Sequence, residues 1–143
     1  MVNLINAATA FIFLGIGAYW LRLGLRTTTQ KLFLLSALAL MAHGIGGTLY
    51  HLFPDSLFFW RLDIIPLSIS LLSLIIELAL AWKSPSYAHK EKSDLLRFGL
   101  PAFGLAIFFR AGTHWIWHLL CAYSLFLLFR YVNATQLKRN ESF

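Results

Sequence analysis

The sequence predicts an all-α membrane protein: a single polytopic helical bundle with about five transmembrane helices. Hydrophobic residues make up 59% of the 143-residue chain, and only 13% of its residues are charged. Its long apolar runs approach the roughly 20 residues that a helix needs to cross the hydrocarbon core of a bilayer. The connections between the runs are short and polar, so no separate soluble domain is expected.

Five apolar runs define the predicted spans. The first has no Lys or Arg before it, unlike a cleaved secretory signal, and is interpreted as the first span. The polar stretch KSPSYAHKEKSD marks a loop between the third and fourth runs. The fourth run is the shortest and contains Gly99, Pro101 and Gly104, and the polar tail at 133–143 is expected to fray. The predicted spans are residues 4–23, 32–53, 57–82, 95–109 and 112–132.

The Lys and Arg residues predict the orientation of the bundle. With five spans, ten of the twelve fall on one side of the membrane, and only Arg61 and Arg110 fall on the other. Lys and Arg accumulate on the cytoplasmic side of short loops, so the N-terminus is predicted outside and the C-terminus in the cytoplasm. Their position at the ends of spans accounts for the net charge of +6, and no nucleic-acid partner is expected.

Ionisable residues in or near the spans are the main candidates for function, because burying them in a bilayer is costly. His51 ends the second span, and Asp63 opens the third on the same side. His114 and His118 lie one to two turns into the fifth span from that side, and their i, i+4 spacing puts both imidazoles on one helix face. Three helices therefore bring these residues to one depth, toward the outer side of the membrane.

This constellation is typical of a zinc site. Zinc accepts two imidazoles from adjacent turns of one helix and a third from another helix, with a fourth position open for water. A nearby carboxylate, here Asp63, would take a proton from that water or hold it in line for attack. Each histidine alone also fits an interfacial or helix-packing role. Their occurrence together at one depth favours the metal site.

Other polar residues in the spans carry less weight. His43, deeper in the second span, fits an extra metal ligand, a haem ligand or a packing contact, and packing or support of the metal site is favoured. Cys121 is a further possible ligand, although a buried free thiol more often behaves as a small hydrophobic residue. Glu77 lies near the inner boundary and is expected to pair with Lys83 or Arg97.

Two segments, GIGGTLYHLFPDSLFFWRLDIIPLSIS and GTHWIWHLLCAYSLFLL, resemble the alkaline ceramidases and, more distantly, the progestin receptors related to the adiponectin receptors. These proteins are grouped as the CREST superfamily of membrane hydrolases. In that family a His ends an early span, an Asp follows, and a His-x-x-x-His pair opens the last span. The Asp-x-x-Pro of Asp63 to Pro66 is particularly similar to the ceramidases. The resemblance covers the second, third and fifth spans, roughly half of the chain.

The resemblance implies a zinc-dependent hydrolase that cleaves an amide bond in a ceramide-type membrane lipid. By this resemblance His51, His114 and His118 bind Zn2+, and Asp63 is the catalytic residue that acts on the attacking water. The substrate would be the only partner implied.

This chain departs from the family pattern in two ways. The family usually has a Ser four residues before the first zinc His, where it helps to stabilise the oxyanion, whereas this chain has Gly47. Neighbouring Thr48, or His43 one turn below Gly47, are the candidates for compensation, without which amidase activity would be weak or altered. Family members also generally have seven spans, whereas this chain has room for five.

Two other functions fit the same residues. In a membrane haem protein, His43 or His51 would face His114 or His118 across the bundle as axial ligands. In a receptor-like protein, the zinc site would serve structure alone, without turnover. A Soret band would identify the haem protein, and bound metal without hydrolysis would identify the receptor.

Overall fold

The computed structural model describes residues 3–27, 30–83, 88–109 and 113–140, and within these ranges it is helical without strands. Four helices are long, and the fourth segment of the chain is divided into short pieces. We call residues 89–109 the interrupted helix; it contains a π-helical stretch, Leu95–Gly99, and a final 3-10 turn, Ile107–Phe109. The α-helices are α1 (Leu4–Thr27), α2 (Lys31–Leu52), α3 (Leu57–Lys83), α4 (His89–Asp94), α5 (Leu100–Ala106) and α6 (His114–Asn140).

The four long helices, α1, α2, α3 and α6, are each long and apolar enough to cross a membrane, with mean hydropathies from 1.4 to 2.0. Their exposed surface is rich in large hydrophobic side chains, as expected of helices that face lipid. The predicted all-α, multi-pass fold is confirmed. The described helices begin and end within a few residues of four of the predicted spans, except that α6 extends further.

The interrupted helix replaces the fourth predicted span, which was expected to begin at Leu95 but begins at His89. Pro101 has no backbone N–H and cannot complete a regular helical ladder, and the π-helical stretch ends at Gly99, two residues before it. Contacts with α6 hold the segment in place. The hydroxyl of Ser124 donates to the Gly99 carbonyl at 2.9 Å, and Arg130 forms an ion pair with Asp94 at 3.3 Å.

The interrupted helix runs the length of the bundle. The end of α2 meets the beginning of α6, where the ring centroids of His51 and His114 are 5.1 Å apart. We call this the histidine end. Because α3 starts beside the end of α2 and runs away from it, residues 89–109 must return the chain to the histidine end. At a rise of about 1.5 Å per residue, they are long enough to cover about 30 Å.

Small residues let α2 pack closely against both of its neighbours. A Cβ atom at Gly44 would collide with the backbone of Leu14 in α1, and one at Gly46 would collide with the backbone carbonyl of Leu62 in α3. Small residues at helix interfaces allow such close approach of backbones in membrane proteins. The position of α2 between α1 and α3 is therefore fixed near the histidine end.

Polar contacts at the opposite end of the bundle extend α6 beyond its predicted end at residue 132. Asn133 and Gln136 are buried, so this part of α6 differs from the frayed tail that was expected. The Thr27 hydroxyl donates to Asn133 Oδ1 at 3.2 Å, and Gln136 Nε2 donates to Glu77 Oε2 at 3.1 Å. Glu77 therefore has a buried amide partner in α6, whereas pairing with Lys83 or Arg97 was expected; the Lys83 side chain lies outside the described residues.

Candidate metal centre

Three histidines meet at the histidine end of the bundle. The potential ligand atoms of His51, His114 and His118 all lie within 4.8 Å of one another. His51 comes from the last turn of α2, and the other two come from the first two turns of α6. Within the described parts of the chain, they are the one group of three or more His, Cys, Asp or Glu residues suited to a metal ion. The prediction that these histidines lie together is confirmed, whereas Cys121 packs in the hydrophobic core.

The imidazole of His118 is oriented by Thr9, which sequence reasoning missed. Its Nδ1 atom lies 2.8 Å from Thr9 Oγ1, and the residue is 1% exposed. The single hydroxyl hydrogen of Thr9 is directed to the backbone, because Oγ1 is 2.9 Å from the Ile5 carbonyl and 3.1 Å from the Asn6 carbonyl. We infer that the hydroxyl oxygen accepts a hydrogen bond from His118 Nδ1–H. This leaves the Nε2 lone pair of His118 for a metal.

Replacing Thr9 with valine is expected to lower zinc affinity by about 10- to 100-fold, because metal-binding histidines depend on the group that orients their second nitrogen. Thr9→Ser retains the hydroxyl and is expected to bind zinc nearly as well as the unmodified protein. Competition titration against a chelating dye measures both variants. Unchanged affinity in Thr9→Val would contradict the assigned role of Thr9.

The other two histidines also fit a metal site. His51 Nε2 is buried and has no hydrogen-bond partner among the described residues, as expected of a nitrogen whose partner is an ion. The ring of His114 stacks on Trp117, with centroids 5.1 Å apart and planes 7° apart. Two nitrogen donors from one helix and a third from another match the donor set that zinc prefers. The residues present therefore fit a zinc ion.

Asp63 lies beside these histidines and is paired with His43. The carboxylate Oδ1 of Asp63 is 3.0 Å from His43 Nδ1, and the same nitrogen is 2.8 Å from the Asp63 carbonyl oxygen. Asp63 and His43 line a cavity of about 460 Å³ together with His114, Trp117 and Tyr50. Asp63, the fourth predicted site residue, therefore borders the same cavity as His114, which is the member of the histidine cluster that lines it.

An apolar groove leads from this cavity along the bundle. A second cavity, of about 70 Å³, shares lining residues with the first. A third, of about 180 Å³, shares lining residues with the second. We call the second and third cavities together the lateral groove. Among the described residues, no Cα atom of α3 lies within 8 Å of α5 or of the π-helical stretch, so the groove separates α3 from the interrupted helix. Its main lining residues are Leu67, Leu71, Ile75, Phe103 and Leu125.

Comparison of the chain with protein-family models, with curated proteins and with solved structures gives no match. The expectation of a ceramidase-like protein therefore rests on residue types, order and spacing at His51, Asp63, His114 and His118.

Proposed function

We propose that this protein is a zinc-dependent intramembrane hydrolase that cleaves an amide bond in a ceramide-type lipid. The observation that carries the proposal is the convergence of three imidazoles, one of which, that of His114, lines the same cavity as Asp63. Each part has a defined chemical use in metal-assisted hydrolysis, which needs a metal, an open position and a proton acceptor. The resemblance of the four residues to the ceramidase pattern supports the same conclusion.

His51, His114 and His118 would hold the zinc ion. Zinc held by three protein ligands supplies Lewis-acid activation of water and of a carbonyl group. Thr9 keeps His118 in the tautomer that presents Nε2, and Trp117 supports the ring of His114. The carboxylate of Asp63 accepts the proton that is lost when water attacks the amide carbon, and it can return that proton to the leaving amine.

The lateral groove favours a lipid substrate. Its lining is almost entirely apolar, and it extends from the cavity at the histidine end toward the middle of the bundle. A scissile amide near the membrane surface would meet the histidine cluster while one acyl chain lies along the groove. A water-soluble peptide or sugar would gain little from such a lining.

We also propose five membrane crossings, with the N-terminus and the metal centre toward the outer side and the C-terminus in the cytoplasm. The interrupted helix is long enough to cross, and its contacts with α6 satisfy part of its irregular backbone. The distribution of Lys and Arg supports this orientation.

The packing of the three histidine rings favours a single ion over haem. The ring centroids of His51, His114 and His118 are only 4.5 to 5.2 Å apart, so these rings leave no gap for a porphyrin between two axial ligands. His43, the other candidate axial ligand, is 1% exposed, and its ring packs on Phe13 with centroids 4.7 Å apart. A Soret band in the purified protein would nevertheless identify haem and overturn the zinc proposal.

The proposal is tested by metal analysis of purified protein and by hydrolysis of a fluorescent ceramide in mixed micelles. We expect one zinc per chain, release of fatty acid, loss of hydrolysis with a chelator and recovery with added zinc. Zinc binding without hydrolysis of ceramides of any chain length would instead support the receptor-like function.

The same assay tests the lateral groove through Ile75, which lines its far part. Ile75→Trp is expected to reduce hydrolysis of long-chain ceramides more than that of short-chain ceramides, because the indole would shorten the groove. The matched control is Ile76→Trp, since Ile76 is exposed, as Ile75 is, but does not line the groove. If the unmodified protein, Ile75→Trp and Ile76→Trp showed the same dependence of hydrolysis on ceramide chain length, the assigned path of the acyl chain would be wrong.

A further inference from the structure

We propose that His43 is a positioning residue for Asp63, and that Gly47 is required because its missing side chain leaves room for the Asp63 carboxylate. The inference deepens the proposed function and rests on it for the catalytic role of Asp63. The geometry of the pair itself does not depend on that role. Gly47 then has a structural role in the site, whereas the resemblance alone suggested that a catalytic serine is missing there.

The hydrogen bonds of His43 define the pair. Its Nδ1 lies within hydrogen-bond distance of two oxygen atoms of Asp63, the backbone carbonyl at 2.8 Å and carboxylate Oδ1 at 3.0 Å. A carbonyl oxygen only accepts hydrogen bonds, so Nδ1 carries the hydrogen. One donor therefore holds both the backbone and the side chain of Asp63, which restricts the rotation of its carboxylate.

The burial of His43 argues against a role in packing alone. The residue is 1% exposed, its ring packs on Phe13 at 4.7 Å, and its Nε2 has no partner among the described residues. Leaving a buried polar atom unsatisfied destabilises the fold, and an apolar side chain of similar size would avoid this cost. The polar contact that distinguishes His43 from such a side chain is the one with Asp63.

The local structure of α3 brings Asp63 within reach of α2. Pro66 has no backbone N–H, so the Leu62 carbonyl loses its donor within the helix, and Gly46 packs against that carbonyl. The next residue is Asp63, and its carbonyl accepts the hydrogen bond from His43. Pro66 and Gly46 thus both affect the turn of α3 that carries Asp63.

Gly47 provides the space that the carboxylate occupies. A Cβ atom built at Gly47 would lie 2.7 Å from Asp63 Oδ1 and 3.3 Å from the Cβ atom of Ala10 in α1. The first distance is too short for van der Waals contact, so the carboxylate, which is the far end of the Asp63 side chain, would have to shift. Any side chain at position 47, serine included, would therefore displace the carboxylate that His43 holds. A serine here and the His43–Asp63 pair are alternatives.

The first test observes the pair without measuring activity. In zinc-loaded protein with ¹⁵N-labelled histidine, the NMR spectrum is expected to show His43 as the Nδ1–H tautomer, with its signal assigned by its loss in His43→Phe. Gly47→Ser and Gly47→Ala are expected to shift this signal. Gly15→Ser is the matched control, because a Cβ atom at Gly15 meets nothing within 4 Å. An unchanged signal in both Gly47 variants would overturn the inference.

The second test measures the consequence for turnover of the fluorescent ceramide. Gly47→Ser and His43→Phe are expected to lower kcat by about 100-fold, the scale of a misplaced catalytic group, with KM and zinc content nearly unchanged. His43→Asn should recover part of the loss, because its amide N–H replaces the Nδ1 donor. An increase in kcat in Gly47→Ser would overturn the inference. If neither the unmodified protein nor any variant hydrolyses ceramide, the proposed function fails. The NMR result still decides whether His43 and Asp63 form the pair.

Discussion

Replacing His118 with alanine is expected to remove most of the zinc that we propose the protein binds. His118 is the most buried of the three histidines, and Thr9 already directs its Nε2 lone pair toward the cluster. Loss of a direct ligand should weaken binding by more than the roughly 10- to 100-fold that follows loss of an orienting partner. Metal content after purification and competition titration with a chelating dye measure the change.

The matched control for this prediction is His89→Ala. His89 begins the interrupted helix at the end of the bundle opposite to the cluster, so its loss is expected to leave zinc content unchanged. Replacing His114 should resemble the loss of His118. Full retention of zinc by His118→Ala would show that the histidine cluster is not the metal centre.

Replacing Asp63 with asparagine is expected to leave zinc in place and to lower turnover of the fluorescent ceramide by about 10²- to 10⁴-fold, the usual contribution of a general base. The asparagine side chain has nearly the same shape and keeps Oδ1 as an acceptor for His43 Nδ1–H. The change therefore removes the negative charge and the proton-accepting capacity while preserving the contact at 3.0 Å.

Asp55→Asn is the control for the loss of a carboxylate near the same end of the bundle, because Asp55 is exposed in the turn between α2 and α3. It is expected to retain full activity. If Asp63→Asn hydrolysed ceramide as fast as the unmodified protein, Asp63 would not be the proton acceptor, and the chemistry would need another base.

The long helices could be predicted from the sequence because lipid imposes a simple constraint on them. Leu4–Thr27 and Leu57–Lys83 are apolar over a length that matches the bilayer, and their polar neighbours mark where they stop. The histidine cluster could be predicted for a related reason. An i, i+4 pair shares one helix face, and the ends of spans fix depth, so the five-span prediction put His51 and the pair in α6 at one level.

Other features depend on which faces of the helices meet, and the sequence does not specify this. Thr9 is one hydroxyl in an apolar helix, and nothing local indicates that it faces His118. The contact between His43 and Asp63 depends on how closely α2 approaches α3. The extension of α6 was missed because Asn133 and Gln136 are polar and were therefore assigned to a tail. Their hydrogen-bond partners lie in other helices and cannot be identified from the local sequence.

The separation between α3 and the interrupted helix has a consequence for how this protein would meet its substrate. A lipid that enters through that opening moves sideways within its own leaflet and never passes through water. The encounter rate then depends on the mole fraction of the lipid in the membrane, which is a two-dimensional concentration. Diluting ceramide with an inert phospholipid would slow the reaction even when the total ceramide in the sample is constant, whereas diluting the whole suspension with buffer would not.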